Sequence, residues 1–177
     1  PGVGFNELTA WTPTGGNAAT TVGEARRRAL DFALSVWAAQ LDSPVPVRVG
    51  VRFEDLGSGA SSAVLGIGGA EEVFRDFAGA PAPATWYAAA LADRLAGVDL
   101  APGELDLAVS FNSQVDGPAL GERGFSYGLD GTGPEGDPSF VEVALHEVAH
   151  GLGFSLFADA VSGEKLLGRD DAYLLHL

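Results

Sequence analysis

Apolar residues recur at helical spacing over residues 21–41. Ala25, Ala29, Phe32, Ala33, Val36 and Trp37 fall on one stripe, and Asp42-Ser43-Pro44 ends the run. A long helix is expected there, with Trp37 in the core. From Val45 to Phe53 the pattern changes to alternation around Arg48 and Arg52, the period of a strand. Ser62–Ile67 reads as a second strand, with Gly66, Gly68 and Gly69 marking a turn or bulge. Residues 79–84 form a short apolar connector, and Thr85–Ala96 is expected as a helix capped by Thr85. Leu105–Phe111 reads as a strand, and Phe125–Leu129 as another. Residues 1–19, rich in Gly, Thr and Pro, are expected to run extended over the surface. The final helix is expected over 139–152. Asp137-Pro138 precede it, Ser139 and Glu142 form an S-x-x-E capping box, and Phe140, Val143, Ala144, Val148 and Leu152 supply apolar faces. Gly151 and Gly153 stand where such a helix would stop and turn. The order helix, strand, strand, helix, strand, strand, helix predicts one α+β domain over residues 1–177. Its twisted mixed β-sheet would be backed by helices.

That last helix carries His146-Glu147-Val148-Ala149-His150. Two histidines four apart on a helix share a face, with Cβ atoms about 5–6 Å apart. Both imidazoles can then bind one zinc ion, and Glu147 faces a water on that ion. Zinc lowers the pKa of its water to about 7, so a neighbouring carboxylate can deprotonate it near neutral pH. The plainer account is an acidic surface helix that happens to carry two histidines. The apolar faces argue against it, because buried His and Glu need partners and a metal is an economical one.

The longer string HEVAHGLGFS, residues 146–155, resembles the zinc helix of the zincin peptidases. It is closest to the metzincin clan, and within it to the leishmanolysin-like pattern. The metzincin motif is HExxHxxGxxH; here Gly153 matches its glycine, but Leu156 stands at the third histidine position. GFNELT (4–9), TTVGEARRRALDFA (20–33), LDSPVPVRV (41–49), TWYAAALADRLAG (85–97), FNS (111–113) and GRDDAYLLHL (168–177) extend the likeness. Together they resemble a family of secreted bacterial zinc peptidases. The resemblance implies a zincin-like fold, a catalytic Zn2+, Glu147 as general base and an extracellular location. The family's chain continues into a segment with a Met for a Met-turn, whereas this one has no Met and stops at Leu177, so a fragment or processed form is expected.

A catalytic zinc normally takes three protein ligands. The resemblance points to Asp171 of Asp171-Ala172-Tyr173 as the third. His176 would complete a site using all three histidines of the chain. Asp170 lies twenty residues beyond His150, a spacing like that to the glutamate ligand of thermolysin-like enzymes. Asp159 is nearer but falls in a turn sequence, FADAVSGEK, and a ligand beyond Leu177 is a further alternative.

Charge narrows the partners. The net charge is −14, from 24 acidic and 10 basic groups, which disfavours nucleic acid and anionic membranes. No apolar run of about 18 residues exists, so no membrane insertion is expected. With no cysteine, disulfides, thiolate catalysis and Cys-type zinc sites within the chain are excluded. The loop Asp130–Asp137 is a candidate for Ca2+, but it lacks the EF-hand pattern and a polar glycine-rich turn is the preferred account of it.

These readings converge on a zinc endopeptidase acting on protein or peptide substrates, its ion held by His146, His150 and Asp171, with Glu147 as base. Zincins bind substrate as an added strand along a sheet edge, and Leu105–Phe111 or Phe125–Leu129 is expected to be that edge; Asn112 and Tyr127 are then candidate substrate or oxyanion contacts, although residues of these kinds more often serve packing or a turn. Two alternatives stand beside it: a catalytically inactive zinc-binding interaction module of a secreted protein, and metal-assisted hydrolysis of a non-peptide bond.

Overall fold

The structure is a computed structural model and describes residues 4–58, 62–117, 123–159 and 161–176. Its elements are α1 (Val22–Gln40), β1 (Val49–Glu54), β2 (Gly66–Ala70), β3 (Val73–Phe74), β4 (Tyr87–Ala88), α2 (Ala89–Ala96), β5 (Leu107–Asn112) and α3 (Phe140–Leu152). The chain is thus a mixed α+β protein. β1, β5 and β2 form a three-stranded sheet in that order, and β3 pairs with β4. Asp106 N–H donates to Arg48 O (3.0 Å) and Ser113 N–H to Glu54 O (2.8 Å), so β5 runs parallel to β1. Asn112 N–H donates to Leu65 O and Glu71 N–H to Asp106 O, both at 3.0 Å, so β5 runs antiparallel to β2. The sheet is mixed, as expected.

Two compact units divide the chain; one division follows Leu41, and the others fall inside β1, β2, β5 and α3. The first comprises Pro1–Leu41, Val51–Ile67 and Ser110–Glu147. Aromatic rings fill it: Phe140 stands 4.5 Å from Phe111 and 5.3 Å from both Phe125 and Tyr127, centroid to centroid. Phe111 and Phe140 are fully buried. Helix α1 begins at Thr21, whose side chain accepts from Glu24 N–H, and packs through Ala25, Ala29, Leu30 and Ala33. Phe32 and Val36, expected on that stripe, are exposed instead, while Trp37 donates its indole N–H to Leu145 O of α3 (3.1 Å). The first residues are less loose than expected. Residues 1–3 lie outside the described set, but Asn17 is buried and donates to both Ala25 O and Tyr127 O.

Within this unit Arg26, Tyr127 and Asp116 form a polar trio, with Arg26 and Tyr127 buried and Asp116 exposed. Arg26 Nε donates to Tyr127 Oη (2.9 Å), its Nη2 pairs with Asp116 (2.6 Å), and Tyr127 Oη donates to the same carboxylate. Burial first, then the Asp116 charge, pushes the Tyr127 phenol well above its usual range. Burial acts to lower the Arg26 pKa, but Tyr127 and Asp116 outweigh it and the net shift is upward.

The second unit comprises Asp42–Gly50, Gly68–Val109 and Val148–Leu177. Several expected boundaries move here. Strand β1 starts at Val49 and not Val45, because Pro46 has no N–H to give a ladder and restrains the residue before it. The helix expected from Thr85 starts at Ala89; Tyr87 and Ala88 pair antiparallel with Phe74 and Val73. Ala89 N–H is capped by Glu72 O (3.0 Å), and Thr85 instead bonds Pro83 O. Among the described residues no helix is long and apolar enough to cross a membrane.

Two further expectations are corrected. Gly66, Gly68 and Gly69 lie inside β2, not at a turn. Phe125–Leu129 forms no strand: only Ser126 bridges, to Ser139, where its carbonyl accepts from Phe140 N–H at the start of α3 (2.9 Å).

Candidate active site

Helix α3 starts as the capping sequence dictates. Ser139 Oγ accepts from Glu142 N–H (3.3 Å), and Ser139 O accepts from Val143 N–H (3.1 Å). At about 100° per residue, Phe140, Ala144, Val148 and Gly151 form one buried stripe. His146 and His150 share a different face, His146 exposed and His150 half-buried. Glu147 falls between the two and is itself buried. Its Cγ lies against the backbone of Gly66, the first residue of β2. Because β5 is the central strand, Leu105–Phe111 is not a sheet edge; the edges are β1 and β2. The strand beside Glu147 is therefore an edge strand.

The glycines after the motif have separate tasks. Gly151 is still helical, and a Cβ there would meet the Leu107 side chain at 2.6 Å, so its absence lets this turn of α3 lie close on β5. Gly153 ends the helix with φ +109°. Its N–H donates to His150 O (3.1 Å) and the Phe154 N–H to Ala149 O (3.0 Å), a Schellman closure. That reversal brings Phe154 O back to within 2.9 Å of His150 Nδ1. A carbonyl can only accept, so His150 carries its proton on Nδ1, and in the neutral ring the lone pair is on Nε2. Outer hydrogen bonds of this kind orient metal-binding imidazoles in general.

Compared with protein-family models, curated proteins and solved structures, the chain matches none.

The candidate third ligands have distinct environments. Asp171 is 2 % exposed, with Oδ1 accepting from Leu174 N–H (2.8 Å) and Oδ2 from Phe157 N–H (2.9 Å). Its backbone forms a parallel bridge with Trp86: Trp86 N–H donates to Asp170 O and Ala172 N–H to Trp86 O. Asp170 pairs with Lys165 at the surface. His176 is exposed in a short 3-10 turn. Asp159 accepts from Val161 N–H, Ser162 N–H and Ser162 Oγ, and these bonds, led by that from the Ser162 backbone, hold its carboxyl below the usual range. It closes the turn its sequence suggested. In the calcium candidate loop, Asp130 accepts from both Thr132 Oγ1 and Thr132 N–H, which lower its pKa.

Among the described residues no three His, Cys, Asp or Glu side chains gather where an ion could be held. The fit to zinc is thus partial. The two imidazoles share a face and one is fixed in a ligating tautomer, but no third donor among the described residues is gathered with them.

Asn112 and Tyr127, weighed as substrate contacts against a plain packing role, are buried and bonded within the protein. Asn112 has no exposed surface: Nδ2 donates to Gly57 O and Val64 O, and Oδ1 accepts from Leu56 N–H and Gln114 N–H. Tyr127 is committed to Arg26 and Asp116. Sequence reasoning missed Gly66 as the neighbour of Glu147. A run of glycines within a strand, a mark of close approach, was the available signal.

Proposed function

We propose that this chain is a zincin-type zinc endopeptidase of protein or peptide substrates, working in an extracellular setting. His146 and His150 would hold the ion, and Asp171 is the proposed third ligand. One observation carries the reading. The chain reverses at Gly153 so that Phe154 O orients His150, on the same helix that holds Glu147 buried against an edge strand. An adventitious pair of surface histidines has no need of that arrangement.

When bound, zinc would supply positive charge that polarises the scissile carbonyl and acidifies a water. The chain's own residues do the rest. Glu147 takes a proton from the attacking water and gives it to the leaving amine. The burial of Glu147 limits the orientations its carboxylate must search before proton transfer. The substrate's backbone would extend along β2, adding a strand beside Glu147.

The second reading, a zinc-binding module without turnover, draws on the missing gathered third donor among the described residues. One comparison separates the two. Labelled casein is incubated with the zinc-loaded chain and with Glu147→Ala, and the zinc content of both proteins is measured. Chelator-sensitive cleavage lost in the variant at equal zinc content is the expected result. Equal zinc content with no cleavage by either protein favours the binding module, and cleavage retained by a clean variant preparation overturns the role of Glu147.

A further inference from the structure

We infer that Gly66 is a positioning residue that seats Glu147. This deepens the endopeptidase reading and rests on it. Gly66 is not among the positive-φ glycines of the described residues, so the backbone there does not demand glycine. What demands it is space. A Cβ at this position would stand 2.9 Å from Glu147 Cγ, 3.3 Å from Ser110 O and 3.3 Å from Val143 Cγ1.

The closest of these contacts is the one that must give, because side-chain carbons do not approach below 3.0 Å. Ser110 O belongs to the neighbouring strand β5 and cannot move without the sheet. Glu147 Cγ can move, by rotation about the bonds that also aim the carboxylate. Any side chain at 66 therefore turns the carboxylate away from its seat. Gly66 touches Glu147 through its methylene and acts on the chemistry only through it. A shift of about 1 Å in a reacting group can cost on the order of 100-fold in rate.

The test is a four-protein cycle of wild type, Gly66→Ala, Glu147→Ala and the double variant, read first by urea unfolding of the metal-free proteins. With Glu147 present, Gly66→Ala should lower the folding equilibrium constant about tenfold, the scale of overpacking. With Glu147→Ala, Cγ is gone, and the same substitution should be neutral or stabilising, since Ala restricts the unfolded chain. Equal effects in both backgrounds overturn the inference, because the strand or Val143 would then bear the contact. The second readout is cleavage by the zinc-loaded Gly66→Ala variant. kcat should fall about tenfold or more while KM stays within about twofold. A raised KM with kcat retained would mean that Gly66 serves the substrate strand and not the base, and would also overturn it. A wild type inert toward unfolded protein sinks the endopeptidase reading and the positioning role of Gly66 with it, while the unfolding cycle still reports the contact.

Discussion

Replacing Asp171 with Ala separates two roles for one carboxylate. The side chain is 2 % exposed and accepts two backbone N–H groups, from Phe157 at 2.9 Å and from Leu174 at 2.8 Å. Alanine removes both acceptors and leaves two donors in a site with little access to water. Hydrogen bonds to a charged group contribute about 1.5–3 kcal/mol each, so the loss is about 3–6 kcal/mol. Domains are stable by only about 5–15 kcal/mol, so this is a large share of the total. For a chain of this length it corresponds to a melting temperature lower by roughly 10–20 °C. Asp171→Asn keeps one acceptor but turns an amide toward the other N–H, and should cost about 2–4 kcal/mol. The assay is urea unfolding in excess chelator, followed by fluorescence, with zinc stoichiometry measured separately. A carboxylate that braces the loop lowers stability with no metal present. If metal-free Asp171→Ala unfolds like wild type while its zinc content falls, the bracing argument is refuted and the residue is a ligand alone.

Other perturbations follow from single environments. Asn112→Ala breaks four hydrogen bonds that tie the end of β5 to Leu56, Gly57, Val64 and Gln114, and should cost about 2–5 kcal/mol in chemical unfolding. A loss under about 1 kcal/mol would contradict its buried placement. Tyr127→Phe removes the hydroxyl shared by Arg26 and Asp116 and should cost about 1–3 kcal/mol. In wild type the phenol is shifted upward, so tyrosinate absorbance from it should appear only at alkaline pH where the fold is lost. Asp93 is buried, and burial first, then Asp106 and Asp99, hold its carboxyl above the usual range. The folded state thus binds this proton more tightly than the unfolded chain. The resulting stability is present below the usual aspartate range and is lost as pH rises through the folded value. Asp93→Asn keeps an acceptor for Leu100 N–H and should stabilise the protein at neutral pH, the gain vanishing on acidification. A difference that stays constant between about pH 3 and pH 8 would refute the linkage.

The sequence by itself determined α1, α3 and the centre of β5. Their signals are local: a helical stripe in α1, the Ser139 capping box of α3, and a run rich in apolar residues in β5. It also determined that His146 and His150 share a face, since that follows from helical period alone. Tertiary structure decided the rest. Tyr87 and Ala88 joined a strand because Val73 and Phe74 offered pairing, which outweighed the helical propensity of the residues around them. Which strand lies at the edge depends on pairing between distant segments, so β5 became central and β2 came to border Glu147. The separate tasks of Gly151 and Gly153 became visible only once Leu107 and the returning Phe154 carbonyl were in place. Asp171 reads in sequence like any acidic residue of a polar loop. Only folding brought two backbone N–H groups to its carboxylate.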